Sequence, residues 1–213
     1  MVPAVKLALA VGIEALFHAG REPSESVTVF ASSSGDGETV HQICEALATP
    51  EREVSPTCFH NSVHNAPSGY WGIATRSHQP STSLCAYDAS FAAGLLDAAA
   101  QTTADGCAVT LIAYDLPFPE PLQTACPIGA VFGTALVLTP NATPRSFARL
   151  GLEVTKVRGK TTRLTDTGLE ALRITVPAAR SLPLLEALSS GSPSSVILDC
   201  HEDFRLYLDV FSC

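Results

Sequence analysis

The sequence predicts an α/β domain in which helices cover a mostly parallel mixed sheet, followed by a smaller α+β extension. Three observations carry this. Two continuous apolar runs, CAVTLIAYD (107–115) and AVFGTALVLTP (130–140), have the composition of strands covered on both faces. A β-branched run, SVTVFASSSGDG (26–37), passes through a Ser/Gly loop straight into an amphipathic helix, ETVHQICEALA (38–48). Strands then alternate with helical stretches at a spacing that calls for crossover connections rather than hairpins.

Each element follows in order. Residues 4–19 read as a packing helix, with Leu7, Leu9, Val11, Ala15 and Leu16 as apolar positions. Lys6, Glu14 and His18 interrupt that stretch, so it is neither a signal peptide nor a membrane span, and the expected location is the cytoplasm. The strand that runs into a Ser/Gly loop over 26–37 and the helix 38–48 come next. A polar connection, PEREVSPTCFHNSVHNAP, leads into a helix through 68–75. STSL (81–84) is a strand end, and AYDASFAAGLLDAAAQT (86–102) a helix rich in alanine. After the buried strand 107–115, PFPEP makes a rigid loop before the second buried strand, 130–140. Beyond Pro140 the reading is a loop, a strand over LGLEVTKVRG (150–159), a glycine-closed helix over 181–191, and final strands in SSVILDC and FRLYLDVFSC. The chain divides into residues 1–140 and an extension, 141–213, expected to pack on the same sheet.

Composition excludes several classes of function. The net charge of −8, with 16 % charged residues, argues against wrapping nucleic acid or adhering to an anionic membrane. An acidic carrier protein would need a local basic patch to dock, or a basic partner. Seven cysteines without a C-x-x-C pair fit reduced thiols better than a disulfide framework.

The stretch STSLCAYDASFAAGLLDAA (81–99) places Cys85 between a strand and a helix, a junction where enzymes often mount a nucleophile. A helix N-terminus favours a thiolate by about 0.3–1 kcal/mol. A cysteine nucleophile also needs a base or cation, usually histidine. The alanine-rich helix beyond Cys85 equally suits a small packing residue, and this is the preferred reading. His60 and His64 are spaced i, i+4, which on a helix would put both on one face. A metal site would require a third ligand, and none is expected. His201, beside Asp199, Glu202 and Asp203, reads as a solvated turn between strands. SSSGDGE (32–38) lacks both phosphate-binding glycine patterns and reads as a turn with a helix cap. YDLPFPEP (114–121) reads as a chain reversal after a core strand.

Taken in order, HNSVHNAPSGYWGIAT, DASFAAGLLDA and YDLPFPEP, with the strand and loop VTVFASSSGDGE, resemble the N-terminal half of the β-ketoacyl synthases, which have the thiolase-like fold. The closer resemblance is to the short, chain-length-factor-type subunits of aryl-polyene and xanthomonadin-type synthases, and it covers roughly residues 4–140. Cys85 falls at the position of the nucleophile in that family. Two departures stand out. A working ketosynthase carries two histidines in its C-terminal half, whereas no histidine lies between residues 79 and 200 of this sequence. The first strand of the fold is also expected to be absent, leaving open a misassigned start or a sheet completed by a C-terminal strand.

The resemblance implies a non-catalytic subunit of a type II polyketide or fatty-acid-like pathway, paired as a heterodimer with a full-length β-ketoacyl-ACP synthase. The carrier protein would act through that partner, and no cofactor is needed. Ser81, Thr82, Ser83, Leu84 and Cys85 would form an edge strand docking on the ketosynthase, and Tyr87 and Phe91 would shape the space for the growing chain. Two other readings stay open: a minimal condensing or acyl-transfer enzyme using Cys85 with His60 or His64 as base, and an acyl-binding module.

Overall fold

The computed structural model describes residues 2–156 and 159–213. Its first part is built on a four-stranded sheet of order β2-β1-β3-β4, formed by β1 (Val27–Ala31), β2 (Ser81–Leu84), β3 (Val109–Asp115) and β4 (Phe132–Leu138). β1 runs parallel to both β2 and β3, with Phe30 opposite Ser83 on one side and Ile112 on the other, while β4 returns antiparallel to β3. The helices are α1 (Pro3–Ala19), α2 (Gly37–Ala48), α3 (Pro56–Asn61), α4 (Ala66–Thr75), α5 (Ser90–Asp105), α6 (Leu122–Ala125), α7 (Thr167–Thr175) and α8 (Leu182–Ser190). A second sheet, order β5-β7-β6, is antiparallel throughout and comprises β5 (Ala148–Lys156), β6 (Ser194–His201) and β7 (Phe204–Ser212).

The two-residue period of β1 and β3 explains the layering. Phe30, Ile112 and Tyr114 pack with α1 and with Trp71 of α4. Val29, Ala31, Val109, Leu111 and Ala113 face the other way, toward Phe91, Leu95 and Ala98 of α5. That second core continues through Leu184 and Ala187 of α8 to Val196, Leu198, Leu206, Leu208 and Val210 of the second sheet. The order of layers is therefore α1 and α4, first sheet, α5 and α8, second sheet.

One glycine on each side permits the close approach of helix to sheet. A Cβ on Gly12 would lie 2.6 Å from Ile112 Cδ1 and 2.8 Å from the Trp71 ring; one on Gly94 would lie 2.8 Å from both Ala31 Cβ and Leu111 Cδ1. Proline at the start of α1 and a left-handed Gly20 after it bound that helix, as expected of such termini.

Several expectations need correction. The run 130–140 forms a strand only over Phe132–Leu138, and it is half-buried at the sheet edge rather than central. Its apolar side chains are covered by helix on one face and by the second core on the other, a situation that a continuous apolar run does not distinguish from a central strand. The strands after residue 140 do not join or lie directly on the first sheet, because α5 and α8 separate the two. The strand expected over 150–159 is seen as β5, two residues earlier in its start; its last part, 157–158, lies outside the described residues. α7 has no counterpart in the sequence reading, although Asp166 is a proper cap that accepts from Leu169 N at 2.8 Å. The polar connection 50–67 contains α3, which ends at Asn61, so His60 and His64 do not share a helical face.

Candidate functional site

Parallel strands deliver their carboxyl ends, and the loops that follow, to one end of a sheet, which is where α/β folds usually place ligands. In this chain the loop after β1, the turn after β2 and the last residue of β3 meet there. Asp115, fully buried at the end of β3, organises the meeting. Its Oδ1 accepts from Ser33 Oγ at 2.6 Å, Ser33 N at 2.9 Å and Ser32 Oγ at 3.2 Å, while Oδ2 accepts from Ala178 N at 2.7 Å. Ala178 opens the 3₁₀ turn Ala178–Ser181, so one carboxylate ties the first sheet to the C-terminal part of the chain. Burial pushes the Asp115 carboxyl above its ordinary value, against the opposing pull of the hydrogen bonds from Ser33, Ala178 and Ser32. Burial, and then the neighbouring Asp115, push the Tyr114 phenol up as well.

Cys85 sits one residue beyond β2 and is exposed. Its thiol donates to the Ser33 carbonyl oxygen at 2.9 Å. His64 Nε2–H donates to the carbonyl oxygen of the preceding residue, Ser32, at 3.1 Å. Thiol and imidazole are thus attached to consecutive carbonyls of one loop, but the imidazole is bonded to the backbone rather than to the sulfur. His60 is elsewhere, edge-on to Tyr70.

The helix expected to begin directly after Cys85 is α5, and it starts only at Ser90. Between them lies the 3₁₀ turn Tyr87–Ala89, with Tyr87 at a left-handed φ of 48°. Ser90 fixes this turn: its hydroxyl donates to Tyr87 O at 2.6 Å and accepts from Ala86 N at 3.0 Å. Cys85 therefore lies too far from the start of α5 for the helix dipole to favour its thiolate, because that field fades within the first turn of a helix.

The strand Ser81–Leu84 is the outer strand of its sheet, and among the described residues no strand pairs with its other side. Pro80 O and Leu84 O accept from Thr28 N and Ser32 N, so the even-numbered residues turn their backbone groups toward β1. By the alternation of a strand, Ser81, Ser83 and Cys85 turn theirs outward. Of the two residues expected to shape an acyl space, Phe91 is 1 % exposed and lies within the core between the sheets, so it is not available to line one. Tyr87 is 82 % exposed and points into solvent. Asp88, next to it, pairs with Arg180 Nη2 at 2.7 Å.

Sequence reasoning took the seryl loop only as a turn with a helix cap and YDLPFPEP only as a chain reversal, and so missed the node at Asp115. A carboxylate closing an otherwise apolar strand was the available signal, since a buried charge requires partners.

The family model described as "Beta-ketoacyl synthase, N-terminal domain" matches residues 1–192. A solved structure titled as a ketosynthase (ApeO) in complex with its chain length factor (ApeC), from Xenorhabdus doucetiae, matches with 21 % identity and a TM-score of 0.72, over 97 % of this chain and 76 % of that one. AbyA1, a tetronic acid condensing enzyme, matches over 100 % of this chain and 83 % of its own, with 11 % identity and a TM-score of 0.58. ChlB3, titled an acyltransferase, matches over 73 % of this chain and 42 % of its own, with 19 % identity and a TM-score of 0.50. At these identities the structures establish the thiolase-like fold. No curated protein matches the chain. Among the described residues no helix is long and apolar enough to cross a membrane.

Proposed function

Since the chain belongs to the β-ketoacyl synthase N-terminal domain family, we propose that it is a non-catalytic, chain-length-factor-like subunit. It pairs with a full-length β-ketoacyl-ACP synthase as a cytoplasmic heterodimer in aryl-polyene biosynthesis. The observation that carries this reading is the open edge of β2, an outer strand followed directly by Cys85, whose sulfur is hydrogen-bonded to a carbonyl and, among the described residues, to no imidazole. An unpaired edge is a template for another strand, and proteins normally cover or blunt it. A ketosynthase presenting its own edge would extend the sheet antiparallel across Ser81, Ser83 and Cys85. Carrier protein and substrate then act through the partner. The solved complex of a ketosynthase with its chain length factor supports such a pairing by the likeness of its fold.

The test is co-purification with the ketosynthase of the same pathway. Ser83→Pro removes an outward N–H without touching the bonds to β1, so it is expected to abolish co-purification while the variant remains folded by circular dichroism. Retention of the partner by a folded Ser83→Pro chain would refute docking through this edge.

A second reading has one specific observation behind it: Cys85 and His64 hang from adjacent carbonyls, Ser33 and Ser32. If His64 left its carbonyl it would be a base for the thiol, and the chain would be a minimal condensing or acyl-transfer enzyme. Cys85→Ala separates the two readings. Pigment formed at the wild-type level supports the subunit reading, and loss of product with the heterodimer intact supports the enzyme.

A further inference from the structure

The chain carries a net charge of −8 with 13 Lys and Arg, yet five of those cations line one cavity of about 420 Å³ in its C-terminal part. Lys160 and Arg163 come from the loop before α7, Arg173 from α7, Arg180 from the 3₁₀ turn Ala178–Ser181, and Arg205 from β7. Three carboxylates hold the guanidinium groups in place. Asp199 stands 3.5 Å from Arg180 Nη1 and 3.1 Å from Arg205 Nε, and also accepts from Thr161 Oγ1 at 3.0 Å. Glu170 takes Arg173 through two bonds of 2.7 Å, and Asp88 takes Arg180. Lys160 and Arg163 lie within ion-pairing distance of no carboxylate among the described residues, so the cavity keeps a positive excess. The Nε of Arg180 is buried without a hydrogen-bond partner among the described residues. Enclosed by protein, that nitrogen does not reach the cavity, and the donors left to face a ligand are the other N–H groups of the arginines and the ammonium of Lys160.

We propose that this cavity binds a compact polyanion, a phosphate or diphosphate group. The shape favours this over an acidic protein surface: the cations converge from separate elements on a concave space, rather than spreading across a face. Arginines held by carboxylates present their remaining donors in fixed directions, which is how phosphate oxygens are recognised. Cys85 is not among the residues that line the site, which does not depend on the reading of the chain as a subunit.

The test is thermal unfolding and calorimetric titration of the full chain with sodium pyrophosphate and with ADP, against sodium chloride at equal ionic strength. Pyrophosphate is expected to raise Tm in a saturable manner that chloride does not reproduce. If ADP does so at lower concentration, the phosphate belongs to a larger molecule; if not, to the free anion. Lys160→Gln with Arg163→Gln weakens pyrophosphate at least about tenfold, read as the rise in Tm above the variant's own unliganded value, since Arg163 also acts on the Glu170 carboxylate. The proposal is overturned if pyrophosphate acts no better than chloride, or if the double variant binds it equally. It is also overturned if poly-glutamate matches pyrophosphate, which would assign the cavity to an acidic protein partner.

Discussion

The two parts of the chain handle a carboxylate in opposite ways. At the end of the first sheet, Asp115 is buried among seryl hydroxyls and backbone amides with no cation among the described residues bonded to it, and burial drives its pKa upward. In the C-terminal part, Glu170 meets Arg173 through two charge-assisted bonds and accepts from Leu164 N at 3.0 Å, and its pKa falls to about 2. The first arrangement gives a rigid, neutral-walled junction suited to fixing loops. The second gives a charged, solvent-facing cavity suited to meeting an ion. The same residue chemistry, read through desolvation in one place and through pairing in the other, separates a structural node from a binding surface.

The largest expected effect comes from removing the node. Asp115→Ala leaves the amides of Ser33 and Ala178 buried without acceptors, so it is expected to cost about 3 kcal/mol of stability by denaturant titration. Asp115→Asn keeps one acceptor oxygen but turns an amide N–H₂ toward a donor, and should fall between that variant and wild type. If Asp115→Ala unfolds at the wild-type midpoint, the tie between the two parts is not what holds them together.

Next in size is the packing of helix on sheet. Gly94→Ala would press its methyl on Ala31 Cβ, which has no rotamer to yield, and should cost about 1–3 kcal/mol. Gly12→Ala meets the tip of Ile112 and the Trp71 ring, of which the first can turn aside, so its cost is expected to be smaller. Equal midpoints for the two variants would show that the faces of the sheet are equally tight.

Much of this architecture could be read from the sequence. The alternation of Val27–Ala31 and the apolar run ending at Asp115 fix the centre of the first sheet, because these side chains must be covered on both faces. β2 was found from only four residues, since the Cys85 junction marked its end. What escaped were contacts between distant segments. Asp115 reaches Ala178, 63 residues away, and no local pattern announces that partner. The second sheet escaped for a related reason: Leu206, Leu208 and Val210 alternate as any half-buried strand does, and periodicity does not say whether a sheet or a helix covers them. The basic cavity was hidden by composition, since an overall acidic chain gives no sign that five cations converge.

The smallest effect is the most discriminating, because the two carboxylates predict opposite responses to pH. A folded-state pKa raised above the unfolded value, as at Asp115, means that the native chain holds its proton longer than the unfolded one. The stability it contributes is full below the ordinary value of 3.8 and is lost as pH rises through the raised value. The advantage of wild type over Asp115→Asn should therefore shrink with rising pH. Glu170 behaves in reverse: its contribution is present above the ordinary value of 4.5 and lost as pH falls toward about 2. The advantage of wild type over Glu170→Gln should be greatest at neutral pH and vanish near pH 2, because the bonds from Arg173 and from Leu164 N favour the ionised carboxylate. Midpoints of urea unfolding measured between pH 2 and 7 decide the matter. Differences that move in the same direction for both variants would mean that pairing and burial do not separate the two regions, and the contrast between a neutral node and a charged cavity would have to be given up.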